Sequence, residues 1–152
     1  MSKQSEAKTM YNTLCQTLDN MNWHYTKEED KFIVRTSAVG QDLTMKLFMK
    51  IDEDKQVMYL KSPMPFDVPT YVRDKITTAV VLANYTMHNG SFEFDLSDGY
   101  LAFKMVVPYM ESIISERVCH YMINLSCNMT DKFKALVDGT MTMTEFQAFC
   151  KE

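Results

Sequence analysis

With 152 residues, 46% hydrophobic and 24% charged, the chain has the composition of one soluble domain, long enough to bury about 68–70% of its unfolded surface. Its 20 acidic against 16 basic residues give a net charge of −4, which excludes the basic footprint of a DNA- or RNA-binding domain. No apolar run approaches the roughly 18 residues of a membrane span, and residues 1–6 lack the apolar core of a secretory signal, so a cytoplasmic, membrane-free protein is expected.

In chain order, Ala7, Met10, Tyr11, Leu14, Leu18 and Met21 recur at steps of three and four, one stripe of an amphipathic helix. A short extended piece (residues 23–26) and a charged turn (residues 27–30) lead to residues 31–37, where Phe32, Val34 and Thr36 alternate with Ile33 and Arg35. The next strand is plain: Leu43, Met45, Leu47, Met49 and Ile51 alternate with Asp42, Thr44, Lys46, Phe48 and Lys50. A turn centred on Glu53-Asp54 returns the chain through residues 56–62. It sets Met49 against Met58 and Leu47 against Leu60 inward, with Phe48 against Tyr59 and Lys50 against Val57 outward.

Pro63, Pro65 and Pro69 lack amide donors, so residues 62–69 form a connector that delivers Pro69 to the start of a second helix. Tyr71, Val72, Ile76, Ala79, Val80 and Ala83 are its expected buried stripe, and Asn84 is expected to cap its end. Gly90 opens a second hairpin. Asp98-Gly99 suits a two-residue type I′ turn, which pairs Leu96 with Leu101, Phe94 with Phe103, Phe92 with Met105 and Glu93 with Lys104. A third helix spans residues 112–137 on a stripe of Ile113, Ile114, Val118, Tyr121, Met122, Leu125, Met129, Phe133 and Leu136, with Gly139 as its stop. Thr142 and Glu145 make a capping-box pattern before a short tail helix bearing Phe146 and Phe149. Strands joined by tight turns and covered by helices make an α+β two-layer domain with a five-stranded antiparallel sheet, in the order α-β-β-β-α-β-β-α plus the tail helix.

No nucleophile, phosphate-loop or zinc-protease motif is present. Cys119 and His120 are neighbours, but adjacent helical residues point about 100° apart and cannot form a catalytic pair. Cys15, Cys119, Cys127 and Cys150 lack metal or disulfide spacing and read as free thiols. The aspartates at Asp52, Asp54, Asp95 and Asp98 sit at turns, where their side chains bond the backbone; the calcium-loop spacing is missing. Neither a cofactor nor a metal is expected. Most of the 14 methionines, including Met10, Met45, Met49, Met105, Met122 and Met129, fall on inward stripes as core filler.

The residues Ser62-Pro63-Met64-Pro65 with Val68-Pro69, then Asn84, then Gly90-x-Phe92-x-x-Asp95-x-x-Asp98-Gly99 with Phe103, and finally Asp131-Lys132-Phe133 ahead of Gly139, resemble the YbjN family of bacterial proteins. The resemblance runs over about residues 7–139 of a single domain, with residues 140–152 as an added tail; Tyr100 departs from the polar residue expected there. It implies a fold similar to type III secretion chaperones and a sensory transduction regulator with no assigned activity. It also implies protein partners and a homodimer. In the sequence itself Gly90, Asp95, Asp98 and Gly99 have a structural task in the turn.

One feature points to contact with a partner. Phe48, Val57 and Tyr59, framed by Lys46, Lys50 and Lys61, form an apolar patch with a basic rim on the outer face of the sheet, unless the tail helix covers it. The reading is a non-enzymatic protein-binding module with Phe48, Val57, Tyr59, Lys46 and Lys50 at the contact. A small-molecule sensor or enzyme with a pocket between sheet and helices is the alternative. It requires polar groups converging between the layers, where the stripes are apolar.

Overall fold

The computed structural model describes residues 2–41, 43–112 and 114–151. Helix α1 (Lys3–Asn20) begins four residues ahead of the stripe that predicts it, because the Ser2 hydroxyl accepts the Ser5 N–H at 3.1 Å. Ala7, Met10, Tyr11, Leu14 and Leu18 are buried as expected, while Met21, just past the helix, is only half-buried.

The sheet has six strands, not five. β1 (Tyr25–Glu28), β2 (Ile33–Val39), β3 (Thr44–Asp52), β4 (Val57–Pro63), β5 (Ser91–Phe94) and β6 (Leu101–Pro108) pair antiparallel in the order β1-β2-β3-β4-β6-β5. The added strand takes Tyr25 and Thr26 from the short extended piece and Lys27 and Glu28 from what was expected to be the charged turn; four mostly polar residues are too few to announce a strand. The charged turn after it is a 3-10 turn (Glu29–Lys31) closed by Phe32 at φ 54°, which takes Phe32 out of the alternation.

Both hairpins keep their predicted faces but slip by two residues, because the tight turns give way to longer loops, four residues (53–56) between β3 and β4 and six (95–100) between β5 and β6. In β3–β4, Met49 lies opposite Leu60, Ile51 opposite Met58, Lys50 opposite Tyr59 and Phe48 opposite Lys61. The Asp52 carboxylate accepts the Asp54 and Lys55 N–H groups at 3.1 and 2.9 Å, and Gln56 takes φ 55°. In β5–β6, Phe94 lies opposite Leu101, Phe92 opposite Phe103 and Glu93 opposite Ala102 rather than Lys104. The type I′ turn gives way to a wider loop: the Asp95 carbonyl accepts the Gly99 N–H, and the Asp95 N–H donates to the Tyr100 carbonyl, each at 2.8 Å. A slip of one residue would invert every side chain; a slip of two leaves the apolar set facing the helices. Phe92, Leu101 and Phe103 are buried accordingly, and Leu96, beyond the last pair, is exposed.

Helix α2 (Arg73–Thr86) follows a 3-10 turn (Thr70–Val72), and α3 (Glu116–Asp138) and α4 (Met143–Lys151) complete the chain. All four helices sit on one side: α1 and α3 pack together over the central strands, α2 lies against β5, and α4 wedges between α2 and α3. Phe92 stacks 4.2 Å from Phe133 and meets Phe103 at 5.3 Å, with Phe146 of α4 5.5 Å from Phe133. The tail helix therefore belongs to the core and leaves the other side of the sheet bare. Its capping box forms as predicted, with Thr142 Oγ1 accepting the Glu145 N–H at 3.2 Å and the Glu145 carboxylate accepting the Thr142 N–H at 3.4 Å.

Two predicted stripes shift. Tyr71 lies in the 3-10 turn before α2 and is 87% exposed. On α3, which starts at the cap Ser115 rather than at residue 112, Val118 and Tyr121 face solvent while Cys119, Ile123 and Ser126 are buried. Small polar residues occupy the helix–sheet seam there: Thr130 of α3 donates to Ser62 of β4 at 3.0 Å in a buried contact. The expected roles of Asp42 in a strand and Ile113 in a helix lie outside the described residues. Among the described residues no helix is long and apolar enough to cross a membrane.

Candidate interaction surface

Strand alternation decides what the bare side presents. Cross-strand rows run Thr26, Arg35, Phe48, Lys61, Lys104, Ser91 and, next to it, Glu28, Ile33, Lys50, Tyr59, Val106. The slip by two places Phe48 and Tyr59 on a diagonal instead of directly opposite. Their rings still meet edge to face, 6.4 Å apart at 76°.

Phe48, Val57 and Tyr59 are each half-buried, and Val106 beside Tyr59 is 46% exposed. Among the described residues, the helices pack on the opposite side of the sheet from them. The covering comes from basic side chains laid along the rings. The Arg35 guanidinium sits 5.3 Å from the Phe48 centroid, and the Lys61 ammonium lies 5.9 Å from Tyr59 and 5.4 Å from Tyr100. Lys61 also binds the Glu93 carboxylate at 2.5 Å, with Lys104 3.6 Å from the same group. Burial alone would lower the Lys61 ammonium; its bonds to Glu93 and to Tyr59 outweigh that and hold it above the usual lysine range.

The face is cationic in a chain that is not. Arg35, Lys46, Lys50, Lys61 and Lys104 oppose Glu28, Asp52 and Glu93, and Asp52 is turned onto the loop amides. Arg35 pairs with Glu28 at 3.3 Å, but Lys46 and Lys50 enter no ion pair with a described residue. Toward one end of the face, Phe48, Arg35, Lys46, His24 and Pro63 line a concavity of about 520 Å³. Of the five residues expected at the contact, all lie on this face. Arg35, Val106 and Lys104 belong to it too; a single strand's alternation does not reveal them, because they come from strands whose pairing is settled only by the whole sheet.

The turn residues act on the backbone. Gly90 (φ 75°) lies under Phe103, whose ring carbon would stand 2.3 Å from an added Cβ. The Asp95 carboxylate accepts the Ser97 hydroxyl at 2.6 Å and its N–H at 2.9 Å, bonds that hold it below the usual carboxylate range. Asp98 accepts the Tyr100 N–H at 2.9 Å. Gly99 (φ 84°) abuts the connector, where the Val68 N–H donates to its carbonyl at 2.8 Å and Arg73 bonds the Val68 carbonyl and that of Leu96. Asp131, part of the motif near the end of α3, accepts the Gln41 and Leu43 N–H groups and so pins the β2–β3 loop to the helix.

Cys119 and His120 diverge: the thiol is fully buried 4.0 Å from the Met58 sulfur, while the imidazole is exposed and contacts Asn124 at 3.1 Å. The inward positions Leu47, Met49, Met58, Leu60 and Phe103 are buried and fill the space between the layers. All four cysteines are free, and among the described residues no three His, Cys, Asp or Glu side chains gather to hold a metal ion.

No protein-family model and no curated protein matches the sequence. The fold does match. YbjN from E. coli, whose crystal structure is titled as that of a proposed transcription regulator, superposes with a TM-score of 0.61 over 86% of this chain and 91% of that one, at 10% sequence identity. The chain therefore has a YbjN-like α+β fold of four helices on one face of a six-stranded antiparallel sheet.

Proposed function

We propose that this chain is a non-enzymatic protein-binding module of regulatory or chaperone-like character, and that it takes its partner on the bare face of the sheet. The carrying observation is that all four helices pack on one side, leaving on the other an aromatic pair, two valines and two lysines, Lys46 and Lys50, that enter no ion pair with a described residue. Contiguous apolar surface of that kind marks contact sites more often than scattered single residues do. The fold likeness to YbjN supports a regulatory reading, and the apolar filling between the layers leaves little room for a pocket there.

The test is the double variant Phe48→Ser with Tyr59→Ser. Both residues are on the outer face, so circular dichroism should show the fold retained, with the urea midpoint lowered by the loss of two half-buried rings. Affinity capture from native cells with quantitative mass spectrometry should lose a partner that wild type retains. Identical capture profiles, with light scattering unchanged, would end the proposal.

A further inference from the structure

The bare face carries an asymmetry that its apolar patch alone does not require. Each aromatic ring on it is overlaid by a cation: Arg35 on Phe48, and Lys61 on Tyr59 and Tyr100. Five basic strand residues face outward here against three acidic ones, although the chain as a whole holds 16 basic and 20 acidic residues. The acidic excess is thus displaced to the helical side and the rims. Lys46 and Lys50, on either side of Phe48 along β3, have no carboxylate partner among the described residues.

Resting on the reading of this face as a contact site, we infer that its occupant is an acidic segment with apolar anchors. One anchor would enter the concavity over Phe48, with carboxylates on either side reaching Lys46, Lys50 and Arg35. The approach is across the strands, because both rims of the sheet are guarded. On the β5 rim the Asn84 side chain of α2 occupies the backbone of Phe92, accepting its N–H at 2.8 Å and donating to its carbonyl at 3.0 Å. On the other rim, β1 is four residues long and its Lys27 points to the helical side, paired with Glu29. A strand-addition mode has no long free edge to use. A second copy meeting face to face through this surface sets lysines against lysines, so self-association is not the fit.

Three fluorescein-labelled short peptides test this against wild-type protein by anisotropy. All alternate leucine and phenylalanine with a second residue: aspartate or glutamate in one, serine or glutamine in the next, lysine in the third. The acidic peptide should saturate and bind about tenfold or more tighter than the lysine peptide, with the gap closing as salt is raised. Lys46→Glu with Lys50→Glu should erase or reverse that preference while leaving the urea midpoint in place. If all three peptides bind alike and Phe48→Ser with Tyr59→Ser abolishes them alike, charge selection fails while the face as a contact site stands. If no peptide binds yet that aromatic double variant still loses its captured partner, the acidic segment is again overturned alone. Concentration-dependent self-association removed by Lys46→Glu with Lys50→Glu would assign the face to another copy and overturn it as well. A preference for the lysine peptide would do the same.

Discussion

Gly99 meets two demands that only a residue without a side chain can meet together. Its φ of 84° lies in the left-handed region, and an added Cβ would stand 2.4 Å from the Val68 carbonyl oxygen and 2.8 Å from its nitrogen. Gly99→Ala should therefore destabilise the fold by about 1–3 kcal/mol, read from the urea midpoint. Asp98→Ala, which loses one bond on an exposed loop, should cost less. Gly99 at positive φ and Asp98 bonded to the Tyr100 N–H both follow preferences that are local in the chain. Asp131 shows what is illegible at this scale. Its partners Gln41 and Leu43 lie about ninety positions away in the chain, and nothing in Asp131-Lys132-Phe133 says which loop that carboxylate will hold.

At the scale of elements, Asn84 is the correction with the clearest physics. A helix-capping role was expected from its place near the end of α2. The structure gives its amide to a strand instead, where it stands in for a seventh strand along Phe92. Asn84→Ala leaves a buried N–H and C=O short of partners, at about 1–3 kcal/mol for each group that water cannot reach. Hydrogen exchange should show the Phe92 amide losing protection while the Phe103 amide keeps it. Asn84→Asp, which retains the acceptor and loses the donor, should fall between. Elements with strong local signals were legible: the central hairpin's faces, the capping box at Thr142 and the stop at Gly139, whereas the connector expected over residues 62–69 begins only after Pro63, which still pairs with Ala102 at the end of β4. Register was not legible. Alternation fixes which side a residue faces but is blind to a slip of two, so only loop chemistry, such as the left-handed Gln56 and the Asp52 carboxylate, chooses between the alternatives. The α3 stripe was misplaced for a related reason: Ser126 and Thr130 look polar in sequence, yet they are the small residues that let the helix approach β4.

For the molecule as a whole, Cys119 lies where α1, α3 and the sheet converge, beside Met58 and Thr17. Its thiol should be alkylated only through global unfolding, so pulse labelling at mildly alkaline pH should proceed at the same rate as unfolding measured by circular dichroism. The pH dependence has a definite sign. Burial pushes this thiol from its ordinary 9.0 up to about 11, so the folded state favours the neutral form. That contribution is complete below the unfolded value and is lost as pH rises from 9.0 toward about 11. The alkaline fall in urea midpoint should be shallower in Cys119→Ala than in wild type. The two-layer architecture was readable from element order. The fate of the tail was not, because Phe146 and Phe149 fit a cover on either side, and the difference lies in the Phe92–Phe133 stack that receives Phe146.

The rims of the sheet carry a consequence for life in a crowded solution. Six paired strands would ordinarily offer a template on which further chains could add, hydrogen bond by hydrogen bond, into a cross-β fibre. Here an asparagine amide stops that growth at one end, and a short strand with an inward lysine stops it at the other. Edge-to-edge growth of this β-rich chain is therefore opposed at both rims, with α2 supplying the block at one of them.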